Sequence, residues 1–514
     1  TAFRLIGRHL PRLDIPAMVT GRIQYGIDVR RPGMLCAVIE RCPVFGAEVE
    51  SVEKQASEAT PGVRTVLPMN RGVAVIADSF WAAERGRQAL TVNWKSAGTE
   101  NLNDAAIQAR LTAGLAQRGR VETEWGNAPA RLNDLAGTVS CTYYTPYLAH
   151  ATIEPMNCVA EVSADGCDVW VGTQDQQSSQ AVAAEITGLP RQQVRIHTQF
   201  LGGGFGRRSE TDFVAEAVTL AQALKQPVQV IWNRSDDLHH DVYRPAHAAH
   251  LEAALDEQGR PEAWFMRAAG DPMALGGIHF PYAVEHYREE RVDLRSPVPT
   301  GAWRSVEASN NAFAIECFMD ELAHAAGQDP LHYRLALLDD PRHRTVLERL
   351  AQMSDWDSPA PPGRGRGMAL FDSFGSITAQ AAEVSVVDNQ VRVHRVHCVL
   401  DCGVVVEPDA VVAQVEGGIA FGLSAALKEA VHLRNGAVTQ SNFEDYPLLT
   451  LAEMPEVQVQ LIAGSEEPGG VGEPPVPVIA PAVANAVFAA TGQRLRWLPL
   501  DDALAAGSGG QAFS

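Results

Sequence analysis

Glu473 is the residue of this 514-residue chain whose neighbours best suit a general base. It lies in the run GGVGEPPVPVIAPA (469–482), between a glycine-rich stretch and two prolines that fix the backbone. Nearly all the residues around it are apolar, and a carboxylate held rigidly in apolar surroundings can accept a proton from a reacting group. Taken alone, the run is also typical of an exposed loop glutamate.

A second glycine-rich run, LGGGFGRRSE (201–210), follows the strand-like segment VRIHTQF and precedes a helix predicted to begin near Asp212. Its glycines allow positive φ and let backbone N–H groups approach an anionic or oxo ligand beside a helix N-terminus. The spacing is not G-x-G-x-x-G, and the lysine of a phosphate-binding P-loop is absent. A ligand-binding loop and a generic tight turn both remain open.

Three further segments contain residues that could do chemistry. Arg304, in GAWRSVE, could hold a substrate oxygen or carboxylate by paired hydrogen bonds, or simply cap a turn. His150 and Glu154 have no second ligand at metal spacing, so zinc held by side chains is not expected there. The HDVYRPA run after His239 lacks H-E-x-x-H, which favours a structural histidine.

The eight cysteines predict neither a disulfide framework nor an iron–sulfur cluster within this chain. No pair has C-x-x-C spacing, and no group of four matches a cluster motif. Cys398 and Cys402 would share one face of a strand, where buried small apolar side chains are the expected state. There is also no G-x-S-x-G nucleophile motif.

The elements that must position these residues are mixed. Alternating runs such as MLCAVIE, GVAVIAD, CDVWVGT and PVQVIWN predict strands. Amphipathic or apolar runs such as SFWAAERGRQAL, FVAEAVTLAQAL, FAIECFMDELAHAAG and APAVANAVFAATG predict helices. Polar stretches at 95–104 and 118–133 predict linkers, and SPAPPGRGRG (358–367) predicts a domain boundary. The pattern indicates a multidomain α+β protein.

Composition and net charge exclude several classes of protein and partner. The net charge of −20 argues against nucleic acid or an anionic membrane surface. With 46% hydrophobic and 20% charged residues, the chain is globular rather than disordered. The apolar run 478–490 is too short and too interrupted to span a bilayer.

In their joint order these segments resemble the molybdopterin-binding large subunit of the xanthine dehydrogenase/aldehyde oxidase family. More narrowly, the chain is similar to the branch of isoquinoline 1-oxidoreductase β-subunits and membrane-bound aldehyde dehydrogenases. The segments that carry the resemblance are RLDIPAMVTGRIQYGIDVRRPGMLCAVIERCP, LAHATIEPMNC, TQ at 173–174, QFLGGGFGRR, NRSDDLHHDVYRPA, GAWRSVEASNNAFAIECFMDELA, VHCVLDCGVVVEPDAVVAQVEGGIAFGLSAAL and GGVGEPPVPVIAPAVANAVFAATG.

The resemblance implies a fold and its domains. An α/β-hammerhead domain is expected at 18–125, after a lead-in strand or linker at 1–17. Two elongated molybdenum-cofactor-binding α+β domains are expected at 135–357 and 363–503, the second incomplete, before a tail at 504–514.

The resemblance also assigns roles. Glu473 matches the family's catalytic base, which takes a proton from an oxygen ligand of molybdenum while the metal accepts the electrons. Arg304 and Phe205 would face the substrate. Gly203, Gly204, Phe205, Gly206 and Gly472 would lie against a molybdenum–molybdopterin cofactor, with no side-chain ligand to the metal. Gln174 and Asp401 are weaker matches, with structural roles expected.

One family segment, a methionine-glycine-glutamine-glycine run on the pterin phosphates, does not occur here, and the chain begins at Thr1. A separate polypeptide, a cleaved precursor or a truncated chain would explain this, and a separate or cleaved chain is favoured. The resemblance further implies a small subunit with 2Fe–2S clusters, a cytosine dinucleotide form of the pterin and a cytochrome or other electron acceptor.

The expected function is oxidation of an N-heteroaromatic ring carbon or an aldehyde with water-derived oxygen, the electrons passing to the iron–sulfur subunit. A non-catalytic, pterin-binding structural or assembly member of the family is the alternative. A nucleotide-dependent dehydrogenase is disfavoured because the dinucleotide fingerprint is absent.

Overall fold

A computed structural model describes residues 3–134, 137–464 and 467–507. Within these ranges the helices are α1 (Ile15–Met18), α2 (Gln55–Glu58), α3 (Phe80–Gln88), α4 (Asp104–Leu115), α5 (Ala128–Asp134), α6 (Gln176–Thr187), α7 (Asp212–Leu224), α8 (Arg234–His239), α9 (Ala308–Ala325), α10 (Pro330–Leu337), α11 (Pro341–Met353), α12 (Pro408–Leu427), α13 (Pro475–Thr491) and α14 (Leu500–Ala506).

The strands are β1 (Leu35–Glu40), β2 (Glu48–Glu53), β3 (Val63–Met69), β4 (Gly72–Ala77), β5 (Thr91–Lys95), β6 (Arg120–Trp125), β7 (Thr138–Thr145), β8 (Asn157–Val162), β9 (Cys167–Val171), β10 (Val194–Thr198), β11 (Val228–Ile231), β12 (His247–Leu255), β13 (Pro261–Gly270), β14 (His286–Asp293), β15 (Gly365–Ser373), β16 (Ser376–Val387), β17 (Gln390–Asp401), β18 (Leu433–Arg434), β19 (Ala437–Val438) and β20 (Glu456–Ile462). This mixture confirms the α+β class.

A seven-stranded sheet joins two distant parts of the chain in the order β10-β9-β8-β11-β1-β4-β3. β1 runs parallel to β11, with Leu35 opposite Val228, and antiparallel to β4. Both faces are covered, which explains the nearly continuous apolar composition of β4. Alternate residues serve the two faces: Val38 packs towards α3, whereas Ile39 packs towards α7.

A five-stranded sheet (β6-β14-β13-β12-β7) and a four-stranded sheet (β15-β16-β17-β20) share the largest apolar core. Helices α9 and α13 contact both each other and these sheets. Every residue of α13 from Pro475 to Val487 is buried, although Pro481 lies inside the helix. The segment that follows Glu473 is therefore anchored in the centre of the protein.

Helix α12 is long and apolar enough to cross a membrane by length and composition alone. Its most apolar window is 56% buried inside the protein, and it packs against α13. Gly418 lies against Pro475, and Gly422 against Ile479, so the two helices approach closely. This is the environment of a core helix.

The predicted strands and helices quoted from the sequence are confirmed, but the linker predicted at 118–133 is wrong. That stretch contains β6 and α5. β6 is an exposed edge strand whose charged side chains pair with its neighbour β14, in the contacts Arg288–Glu124 (2.8 Å) and Arg291–Glu122 (3.0 Å). A polar edge strand lacks the apolar alternation by which strands are recognised.

All eight cysteines are free, and Cys398 and Cys402 are buried as expected. The domain boundaries stay a prediction, and the first sheet takes strands from both sides of the boundary expected near residue 125. In the region predicted as a tail, α14 extends to Ala506, and residues 508–514 lie outside the described ranges.

Candidate active site

The glycine-rich loop 201–206 has a backbone that only glycine tolerates at its last position. Gly203 and Gly206 have φ of 103° and 113°, and Phe205 adopts a left-handed φ of 54°. A Cβ at Gly206 would overlap the carbonyl oxygen of Ala302. The loop is therefore pressed against the segment that leads to Arg304.

A buried ionic layer supports this loop from below. The Arg208 side chain is fully buried and donates to the carbonyl oxygens of Gly203 (2.8 Å), Gly172 (3.1 Å) and Glu154 (2.9 Å). The carboxylate of Glu154 pairs with Arg208 at 3.1 Å and accepts a hydrogen bond from Gly202 N at 2.6 Å. Because each partner is satisfied, the loop geometry is fixed by groups that are costly to remove.

Two further side chains contact the loop or its neighbour. The Gln174 Oε1 atom accepts a hydrogen bond from Gly206 N at 3.1 Å, so this residue lies directly on the loop. His150 is buried, with Nδ1 2.9 Å from Asp241 Oδ1 and Nε2 2.9 Å from Ala302 O. Both of its ring nitrogens therefore face protein oxygen atoms.

Glu473 lies between the second glycine-rich stretch and the N-terminus of α13. Gly469 N donates to Cys402 O at 2.9 Å, and Gly470 N donates to Phe374 O at 2.8 Å. The Glu473 side chain is half-buried, and its Oε1 accepts a hydrogen bond from Ser305 N at 3.4 Å. In the part of the chain that the structure describes, no hydrogen bond reaches its Oε2.

Arg304 connects this stretch to α12. Its Nε donates to Gly472 O at 2.6 Å, and one terminal nitrogen donates to Gln414 Oε1 at 3.1 Å. Burial lowers the pKa of Arg304, and the neighbouring charge of Glu473 opposes that shift. The two residues that follow, Ser305 and Val306, have positive φ, so the chain turns sharply beneath Glu473.

Phe421 of α12 links the two halves of the site. Its ring centroid lies 4.6 Å from that of Phe205 and 4.5 Å from that of Trp303. The guanidinium of Arg304 lies 5.8 Å from the same ring. The glycine loop, the arginine segment and α12 thus meet around one aromatic side chain.

The structure therefore brings Arg304 and Gly472 into direct contact, places Glu473 on the adjacent Ser305 N–H group, and links Phe205 to them through Phe421. Sequence patterns assigned no role to Phe421, Trp303 or Gln414, because an aromatic in an apolar helix is typical of a core. They also missed Glu307, a second carboxylate near Glu473. The pKa of Glu307 is raised by burial and by the charge of Glu473.

The remaining candidate residues are engaged in the scaffold. The side-chain contacts of His150 and Glu154 are to protein groups. Asp401 accepts two hydrogen bonds from Arg342 (2.9 and 3.0 Å) and one from Gly403 N. His240, which begins the HDVYRPA run, has its pKa lowered to about 3 by burial.

A cavity of about 730 Å³ lies elsewhere, between α4, α5 and the five-stranded sheet. Its charged lining residues include Arg267, Arg288 and Glu290, and both arginines pair with the glutamate. No residue of the site described above lines it. The site is thus defined by convergent chemistry and not by this cavity.

Comparison with known proteins identifies the family. Two models described as molybdopterin cofactor-binding domain match residues 112–337 and 319–455. The chain is 34% identical to the beta chain of isoquinoline 1-oxidoreductase from Brevundimonas diminuta, over 98% of this chain and 69% of that protein. It is 30% identical to a membrane-bound aldehyde dehydrogenase (pyrroloquinoline-quinone) of Gluconacetobacter polyoxogenes, over 97% and 72% respectively. The chain belongs to the xanthine dehydrogenase/aldehyde oxidase family.

Further relatives agree with this. A nicotinate dehydrogenase subunit of Pseudomonas putida is 30% identical over 97% of this chain, which spans only 46% of that protein. The solved quinoline 2-oxidoreductase of Pseudomonas putida 86 superposes with a TM-score of 0.85, covering 98% of both chains at 16% identity, and so shows the same fold. The chain is thus a molybdopterin-binding subunit in a family of molybdenum-dependent oxidoreductases, as the resemblance predicted. Several relatives are named as subunits, which implies partner chains.

The residues present fit such a cofactor. A Cβ at Gly203, Gly204 or Gly206 would meet Phe205, Gln174 or Ala302, so the loop presents bare backbone groups at these three positions, as a backbone contact to a bound group requires. The buried Ser305 Oγ, next to Arg304, has no hydrogen-bond partner among the described residues. A bound polar group could satisfy it, because buried hydroxyls rarely stay unpaired.

Proposed function

We propose that this chain is the large-subunit part of a molybdenum hydroxylase that oxidises an N-heteroaromatic ring carbon or an aldehyde with water-derived oxygen. The observation that carries the proposal is the meeting of Arg304 and the 203–206 loop at Phe421, with Glu473 held beside Arg304 by the Ser305 N–H group. These elements come from separate segments of the chain. Their convergence supplies a base, a positive charge, a backbone-lined surface and an aromatic wall in one place.

The cofactor-facing groups would be the backbone of Gly203, Gly204, Phe205, Gly206 and Gly472. When bound, molybdenum–molybdopterin would supply an oxygen donor and a two-electron acceptor, and none of the side chains assigned to the site would ligate the metal. The fixed backbone of the loop would hold the group in one orientation. Such preorganisation lowers the cost of reaching the reactive geometry.

Glu473 acts as the proton acceptor in this proposal. The Ser305 N–H group holds one carboxylate oxygen, so the other can receive a proton without disturbing the side chain. Proton uptake would then be reversible within a fixed geometry.

The aromatic side chains suit a flat substrate. Phe205 and Phe421 form an apolar wall, backed by the buried Trp303, on which an N-heteroaromatic ring or aryl aldehyde could stack. Arg304 lies at the edge of this wall, where its positive charge could stabilise a substrate oxygen or ring nitrogen.

The finer assignments belong to the same proposal. Electrons would leave through a small subunit with 2Fe–2S clusters, to a cytochrome or another acceptor, and the pterin would be the cytosine dinucleotide form. The methionine-glycine-glutamine-glycine segment on the pterin phosphates would come from outside residues 1–514. The alternative function is a non-catalytic, pterin-binding structural or assembly role, and the experiment below distinguishes it from catalysis.

Glu473→Gln tests the function most directly. The amide keeps the size and can still accept from Ser305 N, but it cannot take up a proton. We expect turnover to fall by at least about 100-fold, with molybdenum content near that of the wild type. Single-turnover reduction of the purified complex by an aromatic aldehyde or N-heterocycle measures the first quantity, and metal analysis measures the second.

The matched control is Glu467→Gln, an exposed carboxylate upstream in the same stretch, which should retain full activity. Undiminished turnover in Glu473→Gln would overturn the base assignment. A wild-type complex that carries the cofactor but oxidises neither substrate class would instead support the non-catalytic alternative.

A further inference from the structure

Outside this site, three potential metal ligands converge from three different elements. They are His279 in the connection between β13 and β14, His343 in the first turn of α11, and Asp372 near the end of β15. His279 Nδ1 lies 3.0 Å from Asp372 Oδ2, and His343 Nε2 lies 3.3 Å from the same oxygen. The three ligand atoms all lie within 4.8 Å of one another.

His343 is the unusual member of the group. Its side chain is 3% exposed, yet neither ring nitrogen has a hydrogen-bond partner within the described residues. The nearest carboxylates, Asp372 at Nε2 and Asp340 at Nδ1 (3.4 Å), lie close but without hydrogen-bond geometry. A buried, unpartnered imidazole that points at a carboxylate is a state that a bound cation would satisfy.

The distances match zinc chemistry. Tetrahedral Zn²⁺ holds nitrogen and oxygen ligands at about 2.0–2.2 Å, which sets neighbouring ligand atoms about 3.3 Å apart. The distances from Asp372 Oδ2 to the two imidazole nitrogens, 3.0 and 3.3 Å, lie close to that separation. Asp340 would then take the Nδ1–H of His343, the usual arrangement in which a carboxylate orients a zinc-bound imidazole.

We propose that His279, His343 and Asp372 form a Zn²⁺-binding site, with Asp340 orienting His343 and a water molecule as the fourth ligand. His279 is the exposed member, 68% accessible, and would close the site from the surface. The metal would join the 271–285 connection, α11 and β15. Phe374, two residues beyond Asp372, accepts the hydrogen bond from Gly470 N, so the same hairpin also supports the stretch that leads to Glu473.

A second cluster of similar composition is less suited to a metal. Glu262, Glu285 and His286 also approach one another, but Glu262 already accepts a hydrogen bond from Arg131 at 2.6 Å. His286 Nδ1 accepts from Asn127 N at 2.9 Å. Because these groups are already paired, the cluster lacks the free buried nitrogen that distinguishes His343.

The test is zinc binding to the purified complex after treatment with a chelator. Equilibrium dialysis against Zn²⁺ followed by metal analysis should show one equivalent more zinc in the wild type than in Asp372→Asn or His279→Ala. His332→Ala is the matched control, because His332 is 66% exposed and likewise lies near an aspartate. It should bind zinc like the wild type, and Asp340→Asn should weaken binding by about tenfold or more.

Two results would overturn the site. One is equal zinc content in the wild type and both ligand variants, each shown to be folded by circular dichroism. The other comes from Co²⁺ substitution, where we expect the intense visible bands of a four-coordinate ion that vanish in Asp372→Asn. A wild-type spectrum without these bands would contradict the proposed geometry. Neither readout depends on turnover, so this proposal and the proposed function fail separately.

Discussion

The two glycine-rich stretches of the site, 201–206 and 469–472, are supported in different ways. The first lies on a buried layer in which Arg208 alone donates four hydrogen bonds and Glu154 accepts one from Gly202 N. The exposed Gln174 accepts a further hydrogen bond from Gly206 N. The second is held by two backbone hydrogen bonds, a bond from Ser376 to Gly470 O, and Arg304 on Gly472 O. The first rests on buried charge, whereas the second is half-buried and held mainly by hydrogen bonds to its backbone.

The difference corresponds to what each stretch would do. A loop that approaches a ligand through its backbone needs closely defined dihedral angles, which the buried layer can enforce. A loop that positions a titratable side chain needs only to keep it within reach while its charge changes. Substitutions in the first stretch should therefore cost stability and cofactor content, whereas those in the second should cost activity.

Gly206→Ala is expected to have the largest effect. The new methyl group would overlap Ala302 O, and alanine strongly disfavours a φ of 113°. We expect a loss of about 3 kcal/mol or more in the free energy of unfolding, together with loss of bound molybdenum. For stability, Gly472→Ala is the matched control, since its Cβ would meet only Gln414 Oε1 at 3.4 Å. Denaturant unfolding measures the stability of both variants, and metal analysis measures the molybdenum content of Gly206→Ala. An equal loss of stability in both variants would contradict the difference between the two stretches.

Arg208→Lys tests the buried layer itself. Lysine keeps the charge but cannot reproduce the fork of contacts to Gly203, Gly172 and Glu154. A loss of about 3 kcal/mol is expected, because the Glu154 carboxylate would remain buried and poorly paired. Arg304→Lys should cost about 1 kcal/mol or less, since that side chain is partly exposed. Chemical denaturation measures the free energy of unfolding of both variants. A larger loss in Arg304→Lys than in Arg208→Lys would contradict the comparison.

The pH dependence of stability offers a finer test. Burial, followed by the charge of Asp241, raises the pKa of Asp237 in α8 to about 6, and the charge of Arg208 below the first loop opposes this shift. The folded protein thus binds this proton more tightly than the unfolded chain, so the stabilisation is present below about pH 4 and is lost as pH rises through about 6. We expect Asp237→Asn to remove about 3 kcal/mol of that decline.

Unfolding curves of the wild type and Asp237→Asn, recorded at several pH values across this window and above it, would measure the difference. The wild type should lose stability relative to the variant as pH rises through the window, and the two should run parallel above it. Curves that run parallel throughout would show that Asp237 has an ordinary pKa and that the layer tolerates its charge.

Arg304→Ala should have the smallest effect of these variants, and that effect should be on substrate recognition. Removing the guanidinium takes away a positive charge beside Phe421 while leaving the loop 201–206 intact. We expect kcat/KM to fall by about tenfold, mainly through KM and unevenly between N-heterocycles and aldehydes. Steady-state kinetics with one substrate of each class provide the measurement. If the ratio of kcat/KM for the N-heterocycle to that for the aldehyde is unchanged, Arg304 has no role in distinguishing the substrates.

From the sequence, candidate site residues could be named only where a reactive side chain or a glycine loop stands in a distinctive short run. Glu473, Arg304 and the 203–206 loop could be named because each stands in a distinctive short run, and the family resemblance supplied their roles. Phe421 could not be named, because nothing in the sequence of its apolar helix distinguishes a ring that faces the site from a ring in the core. The pairing of His150 with Asp241 depends on residues 91 positions apart, which no short motif records.

The fold was predictable to a similar degree. Strands with apolar alternation and helices with apolar faces were found, because burial imposes a period on the sequence. β6 was missed because its residues are exposed, and its pairing with β14 relies on cross-strand charges. The parallel contact of β1 with β11 is a tertiary feature, and neither strand indicates its partner.

That contact bears on how the protein is made. β1 leaves the ribosome roughly 190 residues before β11, the strand it must pair with. Until then its apolar residues and one unpaired edge stay open to other chains. Such distant pairing slows folding, and the early part of the chain cannot complete its sheet alone. Successful production therefore depends on keeping the nascent N-terminal region from aggregating until the centre of the protein has been synthesised.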